Sequence, residues 1–186
     1  MIETRKIRED EYEELYSHMM RDFQTGGLAP FHSIRRNLEK NIYDGFYFTE
    51  STADIGYALI TAPKDLRFAL INYFAVFPNY RSKGYGSEFL KIIISRYSER
   101  ILVLETEDPS SADVPCETSK VALRRVKFYE RAGFYILPTE RAKIFGIDML
   151  IMASGNDKDL NAREIMHSLY MPSFNSEEWL RFIDVI

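Results

Sequence analysis

The feature that most narrows the fold is the run Phe68-Ala-Leu-Ile-Asn-Tyr-Phe-Ala-Val-Phe77, almost unbroken in its apolar character. A strand of this kind has no polar face to give to water, so it must be covered on both sides. Pro78 and Asn79 break it, a loop with two glycines follows, and Phe89, Leu90, Ile93, Ile94 and Tyr97 then mark one face of a helix. The unit reads strand, glycine loop, helix.

The rest of the chain supplies the covering layers. Residues 1–7 read as a short strand, and Tyr12, Leu15, Tyr16, Met19, Met20 and Phe23 recur at helical spacing over 9–23. Glycines and Pro30 in the segment 24–30 stop that helix, and a second one is expected over 31–40. Phe46–Thr49 and the alternation Ile55, Tyr57, Leu59, Thr61 predict two strands before the apolar run. Ile101–Leu104 predicts another strand, Glu117–Ala132 a helix closed by Gly133, and Gly146–Ala153 a late strand. Ala162, Ile165, Met166 and Leu169 predict a helix before Pro172. Such alternation of strands and helices implies a layered α/β core.

Composition excludes several classes. The 186 residues suit one domain with a short extension, expected here as 1–154 and 155–186. The tail's apolar residues, Trp179 and Leu180 among them, predict packing on the core or in a homodimer interface. A net charge of −4 without a basic run leaves no footprint for nucleic acid. No segment approaches the roughly 18 apolar residues of a spanning helix, and the N-terminus has no apolar signal region, so neither membrane nor secretion is expected. The single Cys116 cannot form an internal disulfide, which fits a cytoplasmic protein. Three histidines without metal-site spacing predict no metal.

The loop itself points to an anion. In Val76-Phe-Pro-Asn-Tyr-Arg81-Ser82-Lys83-Gly84-Tyr85-Gly86-Ser87, a buried strand hands over to a helix. The first amides of a helix lack internal partners, the helix dipole adds positive potential, and glycine lets the backbone approach a phosphate. The loop lacks the GK[ST] ending of a nucleotide P-loop, and Phe89 stands where a GxGxxG motif would carry its last glycine.

What it matches is the (Arg/Gln)-x-x-Gly-x-(Gly/Ala) signature, and with Phe128-Tyr129-Glu-Arg-Ala-Gly133-Phe134 downstream the chain resembles the GNAT acetyltransferase superfamily. That resemblance covers residues 1–154 and implies a mixed central sheet with splayed middle strands and helices on both faces. It implies acetyl-CoA as cosubstrate and transfer of its acetyl group to a small-molecule or peptide amine by direct attack in a ternary complex. It also assigns cofactor contacts to the backbone at Phe74, Ala75 and Val76, to the loop Arg81–Ser87, and to Phe128 on the later helix; upstream of that motif the chain departs from the family with Ala122 and Arg125, and Arg125, one turn before Tyr129 on the same face, suits either a cofactor contact or an exposed salt bridge. Tyr129 falls at the family's tyrosine position, where a phenol with a pKa near ~10 protonates the departing thiolate.

For the base, Glu105 leaves the end of its strand with Glu107 on the same face, and sequence does not rank the two. Asn72 stands where some family members carry glutamate, and an amide is no base. The loop with Glu105, Glu107, Asp108, Asp113 and Glu117 would suit a cationic acceptor, with Gln24 and His32 as further candidate contacts. Two rival readings stay open: a CoA-binding module without turnover, and a partner-binding domain without cofactor.

Overall fold

The computed structural model describes residues 1–23, 27–111, 116–157, 159–174 and 181–186. The segment 24–26, with Gln24, the residues 112–115, with Asp113, and the tail residues Trp179 and Leu180 lie outside it. Its strands and helices form two compact units, 1–62 with 71–96 and 63–70 with 97–186.

The first unit is built on β1 (Ile2–Lys6), β2 (Tyr43–Glu50), β3 (Ala53–Thr61) and the greater part of β4 (Phe68–Val76), in that spatial order. Tight antiparallel pairing sets the register Lys6↔Phe46 and Phe46↔Ala58, with one irregularity at Phe48/Thr49. Side chains alternate across these strands, and both faces are apolar. One face carries Tyr47, Tyr57, Leu59 and Tyr73, covered by Leu15 and Met19 of α1 (Tyr12–Asp22) and by Ile34 and Leu38 of α2 (Phe31–Glu39). The other carries Phe46, Phe48 and Phe74, and here Phe89 of α3 (Tyr85–Arg96) stacks on Phe48 with ring centroids 3.9 Å apart. Burial on both faces is what the apolar runs demand.

The second unit is organised around β8 (Ile147–Ser154). β5 (Ile101–Glu107) pairs antiparallel along it, Val103 opposite Ala153, and β6 (Phe134–Ile136) pairs with its end. β7 (Ala142–Ile144) forms a hairpin with its start and pairs outward with β9 (Ile183–Val185). Phe145 and Gly146 turn that hairpin, both with positive φ, 51° and 81°, the paired left-handed geometry that matches strand twist. Between β5 and β6 runs α4 (Cys116–Arg131), and α5 (Ala162–Tyr170) buries Ile165, Met166 and Leu169 against Val103, Ile151 and Ala153.

The long elements fall where periodicity puts them. Three strands do not appear in the sequence reading: β6, β7 and β9, each only three residues long. Residues 155–186, expected as helical, thus contribute a strand as well as α5. No helix among the described residues is long and apolar enough to cross a membrane.

Gly56 of β3 is the tightest point of the first unit. A Cβ there would overlap the carbonyl oxygen of Ala75 and the ring of Phe89 and crowd the Cα of Val76. Two of the three obstacles are backbone, which cannot swing aside. Gly56→Ala should therefore destabilise by about 2 kcal/mol through overpacking, a fall in Tm of roughly 4–8 °C for a chain of this size. Differential scanning calorimetry checks it.

Candidate active site

The glycine loop follows β4 in the first unit. A short 3-10 turn at Pro78–Tyr80 leads to Arg81 in extended conformation, then Ser82 takes φ 61° and Gly84 φ 86°. Helix α3 begins at Tyr85. An added Cβ at Gly84 would meet nothing within 4 Å, so the positive φ, and not crowding, calls for glycine there. Ser82 holds the same left-handed region without being glycine, strain of order 1 kcal/mol that the surrounding structure must sustain. The amide N–H groups of Lys83, Gly84, Tyr85 and Gly86 have no acceptor among the described residues. They form a row of free donors at the positive end of a helix, the donor set a pyrophosphate needs.

The formal charges are arranged differently from the sequence expectation. Arg81 donates from Nε to the Val76 carbonyl at 2.9 Å and from Nη2 to Asp22 Oδ1 at 2.5 Å. The Asp22 side chain is only 2% exposed, and its other oxygen accepts from the Tyr57 hydroxyl at 3.1 Å. Arg81 is thus a brace: its charge is matched by a buried carboxylate and its fork holds the end of β4 to the end of α1. Lys83 donates to the Asn79 carbonyl at 2.9 Å, and the Tyr85 hydroxyl donates to Glu50 at 2.5 Å. Backbone amides, not these side chains, are the loop's unengaged donors. Phe74, Ala75 and Val76 are half-buried at the end of β4, and Ser87 opens the first turn of α3.

The second unit carries the titratable candidates. Tyr129 on α4 is buried between Phe128 and Phe134, with centroids 5.1 and 5.9 Å away. Loss of hydration pushes its pKa up to about 12; nearby Arg125 lowers it and Glu107 raises it. The phenol is therefore neutral across the physiological range, and its hydroxyl makes no hydrogen bond among the described residues.

Glu105 and Glu107, alike in sequence, differ sharply here. Glu107 is ion-paired with Arg125. That pair also engages the guanidinium expected to reach toward cofactor. Glu105 meets no cation among the described residues; its Oε1 accepts from the Tyr170 hydroxyl of α5 at 2.8 Å. The residue keeps some surface, yet its carboxylate is crowded by protein, and dehydration pushes its pKa up to about 7 against the lowering effect of Tyr170. Glu105 is thus the carboxylate poised to take a proton near neutrality, and Tyr170 is the partner sequence reasoning missed. No motif marks Tyr170, which reads only as the end of an amphipathic helix. Next to Glu105, the enclosed Thr106 hydroxyl has no hydrogen-bond partner among the described residues.

Asn72 uses its side-chain oxygen to accept from both the N–H and the hydroxyl of Thr61, at 2.9 and 2.7 Å, a structural role. His32 lies exposed on α2. Asp108 bonds within its own turn, to Ser110, and the Glu117 side chain lies outside the described residues.

With this geometry in hand, comparison with known proteins decides the family. The sequence model of the acetyltransferase (GNAT) family matches residues 6–134. The chain belongs to the GNAT acetyltransferase family. Among solved structures, a GNAT-family protein from Bacteroides thetaiotaomicron is 20% identical, covering 91% of this chain and 96% of its own, with a TM-score of 0.76. The ribosomal-protein-S18-alanine N-acetyltransferase from Escherichia coli is also 20% identical, covering 87% and 99%, with a TM-score of 0.61. A Bacillus subtilis acetyltransferase in complex with CoA is 16% identical, covering 83% and 97%, with a TM-score of 0.58. No curated protein matches. At these identities the likenesses establish an α/β fold of GNAT type. The matched span includes the glycine loop, Glu105 and Tyr129 but ends before α5 and Tyr170.

Asp22 gives this site its first test. Asp22→Ala removes the acceptor of both Arg81 and Tyr57 and should cost about 1–2 kcal/mol, a modest figure because Arg81 keeps half its surface in water. The Arg81 brace is released with it, so CoA affinity should fall in the same variant, read by calorimetric titration.

Proposed function

We propose that this GNAT protein transfers an acetyl group from acetyl-CoA to a primary amine by direct attack in a ternary complex. The observation that carries the reading is the row of free amides from Lys83 to Gly86 at the start of α3. On this reading the loop Arg81–Ser87 holds the cofactor's pyrophosphate, the backbone at Phe74–Val76 runs along the pantetheine arm, and Phe128 of the family motif borders the cofactor, while Arg125 would have to leave Glu107 to reach it. The CoA bound by the Bacillus subtilis neighbour supports the choice of cosubstrate. The Escherichia coli neighbour acts on a protein alanine, which keeps peptide amines beside small amines as acceptors.

The chemistry needs a neutral amine, a polarised carbonyl and a proton for sulfur. As the neutral amine attacks, Glu105 takes the one proton its nitrogen loses, directly or through water. The nitrogen attacks the thioester carbonyl carbon, and the C–N bond forms as the C–S bond breaks. Tyr129 gives its phenolic proton to the departing sulfur and recovers one from Glu105 through solvent. A CoA-binding module without turnover is the second reading, favoured by Asn72, whose engagement with Thr61 removes a base from that strand.

A thermal-shift titration with acetyl-CoA, CoA, ATP and NAD tests the donor. Ligand at about 100 times its dissociation constant adds roughly 2.7 kcal/mol, so the two CoA species should raise the midpoint by about 5–10 °C while ATP and NAD do not. Gly84→Val, placing a branched residue at φ 86°, should abolish that rise. CoA binding without transfer to any amine would select the second reading.

Tyr129→Phe should leave CoA affinity nearly intact and slow transfer by about 10²-fold or more. The pH profile tests Glu105, which must be ionised to act. With its pKa about 7, kcat/KM should climb through neutrality and level off above it, and Glu105→Gln should abolish that limb. Tyr170→Phe removes a hydrogen bond that favours the charged form, so the limb should move to higher pH; an unmoved limb sinks the tuning role. The same raised pKa means that Glu105 supports folding fully below the ordinary carboxylate pKa, a contribution lost as pH rises through about 7.

A further inference from the structure

The second unit carries a half-open pocket of about 350 Å³ whose lining includes Lys143 of β7, Arg163 of α5, Arg181 and Asp184, with Phe182 as an apolar wall. All of these residues follow the span matched by the family, which ends at 134. A volume in this range accommodates a small organic molecule.

Its charges are unevenly matched. Lys143 Nζ lies 3.2 Å from Asp148 Oδ1, and Asp184 Oδ2 lies 2.7 Å from Arg141 Nη2, so each of those pairs is neutral in itself. Arg163 donates from Nη1 to the Val185 carbonyl at 3.1 Å, and Arg181 lies over the Phe182 ring at 5.2 Å. Among the described residues neither of these two guanidinium groups meets a carboxylate. Two cations that meet no carboxylate among the described residues thus border one concavity, in a chain whose net charge is −4. Arg163 moreover sits in the first turn of α5, where the helix dipole disfavours a cation and favours an anion. An anion seated in this concavity would meet both guanidinium groups at once.

We propose that this cavity binds a small-molecule dianion, a phosphate monoester or a dicarboxylate, with Arg163 and Arg181 on the charged end and Phe182 against the organic body. Guanidinium forks match the paired oxygens of either group bidentately. The site is separate in sequence and composition from the glycine loop and does not depend on the acetyl-transfer reading.

NMR titration tests it, because amide shifts distinguish this cavity from the loop. Inorganic phosphate and succinate, added at constant ionic strength with chloride as control, should produce saturable shifts at Gly146 and Ile183, whatever they do at Gly84 and Gly86. Arg181→Gln, which loses no hydrogen bond among the described residues, should weaken that binding at least tenfold, and Arg163→Gln likewise. Absence of saturable shifts at Gly146 and Ile183, or unchanged affinity in both variants, overturns the proposal. Shifts there with an acidic peptide but with neither small dianion overturn it too and assign the surface to a protein partner.

Discussion

One buried carboxylate holds the first unit together where it matters. Asp22 ends α1 with its side chain almost sealed from water, and an unpaired charge in that position would cost several kcal/mol. Tyr57 of β3 and Arg81 of the glycine loop meet the need. Because Arg81 also grips the Val76 carbonyl, a helix end, a central strand and the start of the anion loop are bound to a single point. The loop keeps its shape through the side-chain hydrogen bonds of Arg81, Lys83 and Tyr85, while the amides of 83–86 have no acceptor among the described residues. Gly56 adds the steric half of the same constraint, letting Ala75 and Val76 lie close over β3.

The second unit places two acid–base groups in contrasting surroundings. Tyr129 is pushed further toward its neutral form and Glu105 is brought to the edge of ionisation, both by loss of hydration. The rise makes the Glu105 carboxylate a stronger base, and it keeps the Tyr129 phenol protonated while making it a weaker acid. Glu107 shows how narrowly the distinction is drawn: two residues further along β5 it meets Arg125 and becomes half of an ion pair. The tail beyond the family's matched span contributes Tyr170 to Glu105, so α5 is joined to the chemistry by one hydrogen bond as well as by its buried apolar face.

Local pattern made the long elements and the loop legible. The apolar run ending at Val76, the two glycines and the periodic face of α3 are each short-range statements, readable because strand burial and helix periodicity repeat every few residues. The strands β6, β7 and β9 were not legible, since three residues carry no period and exist as strands only through pairing with β8 or with each other. The engagement of Arg81 was not legible, since its partner Asp22 lies far back along the chain.

By itself, then, the sequence determined the α/β character, the order of its long elements, the glycine loop between strand and helix, and the family, because all of these rest on residues close together in the chain. Only the tertiary structure decided which of the two carboxylates is ion-paired and which is dehydrated, that Arg81 is already neutralised, and which helix reaches Glu105. Those properties depend on hydration and on charge partners brought together from distant segments, and neither is written in local spacing.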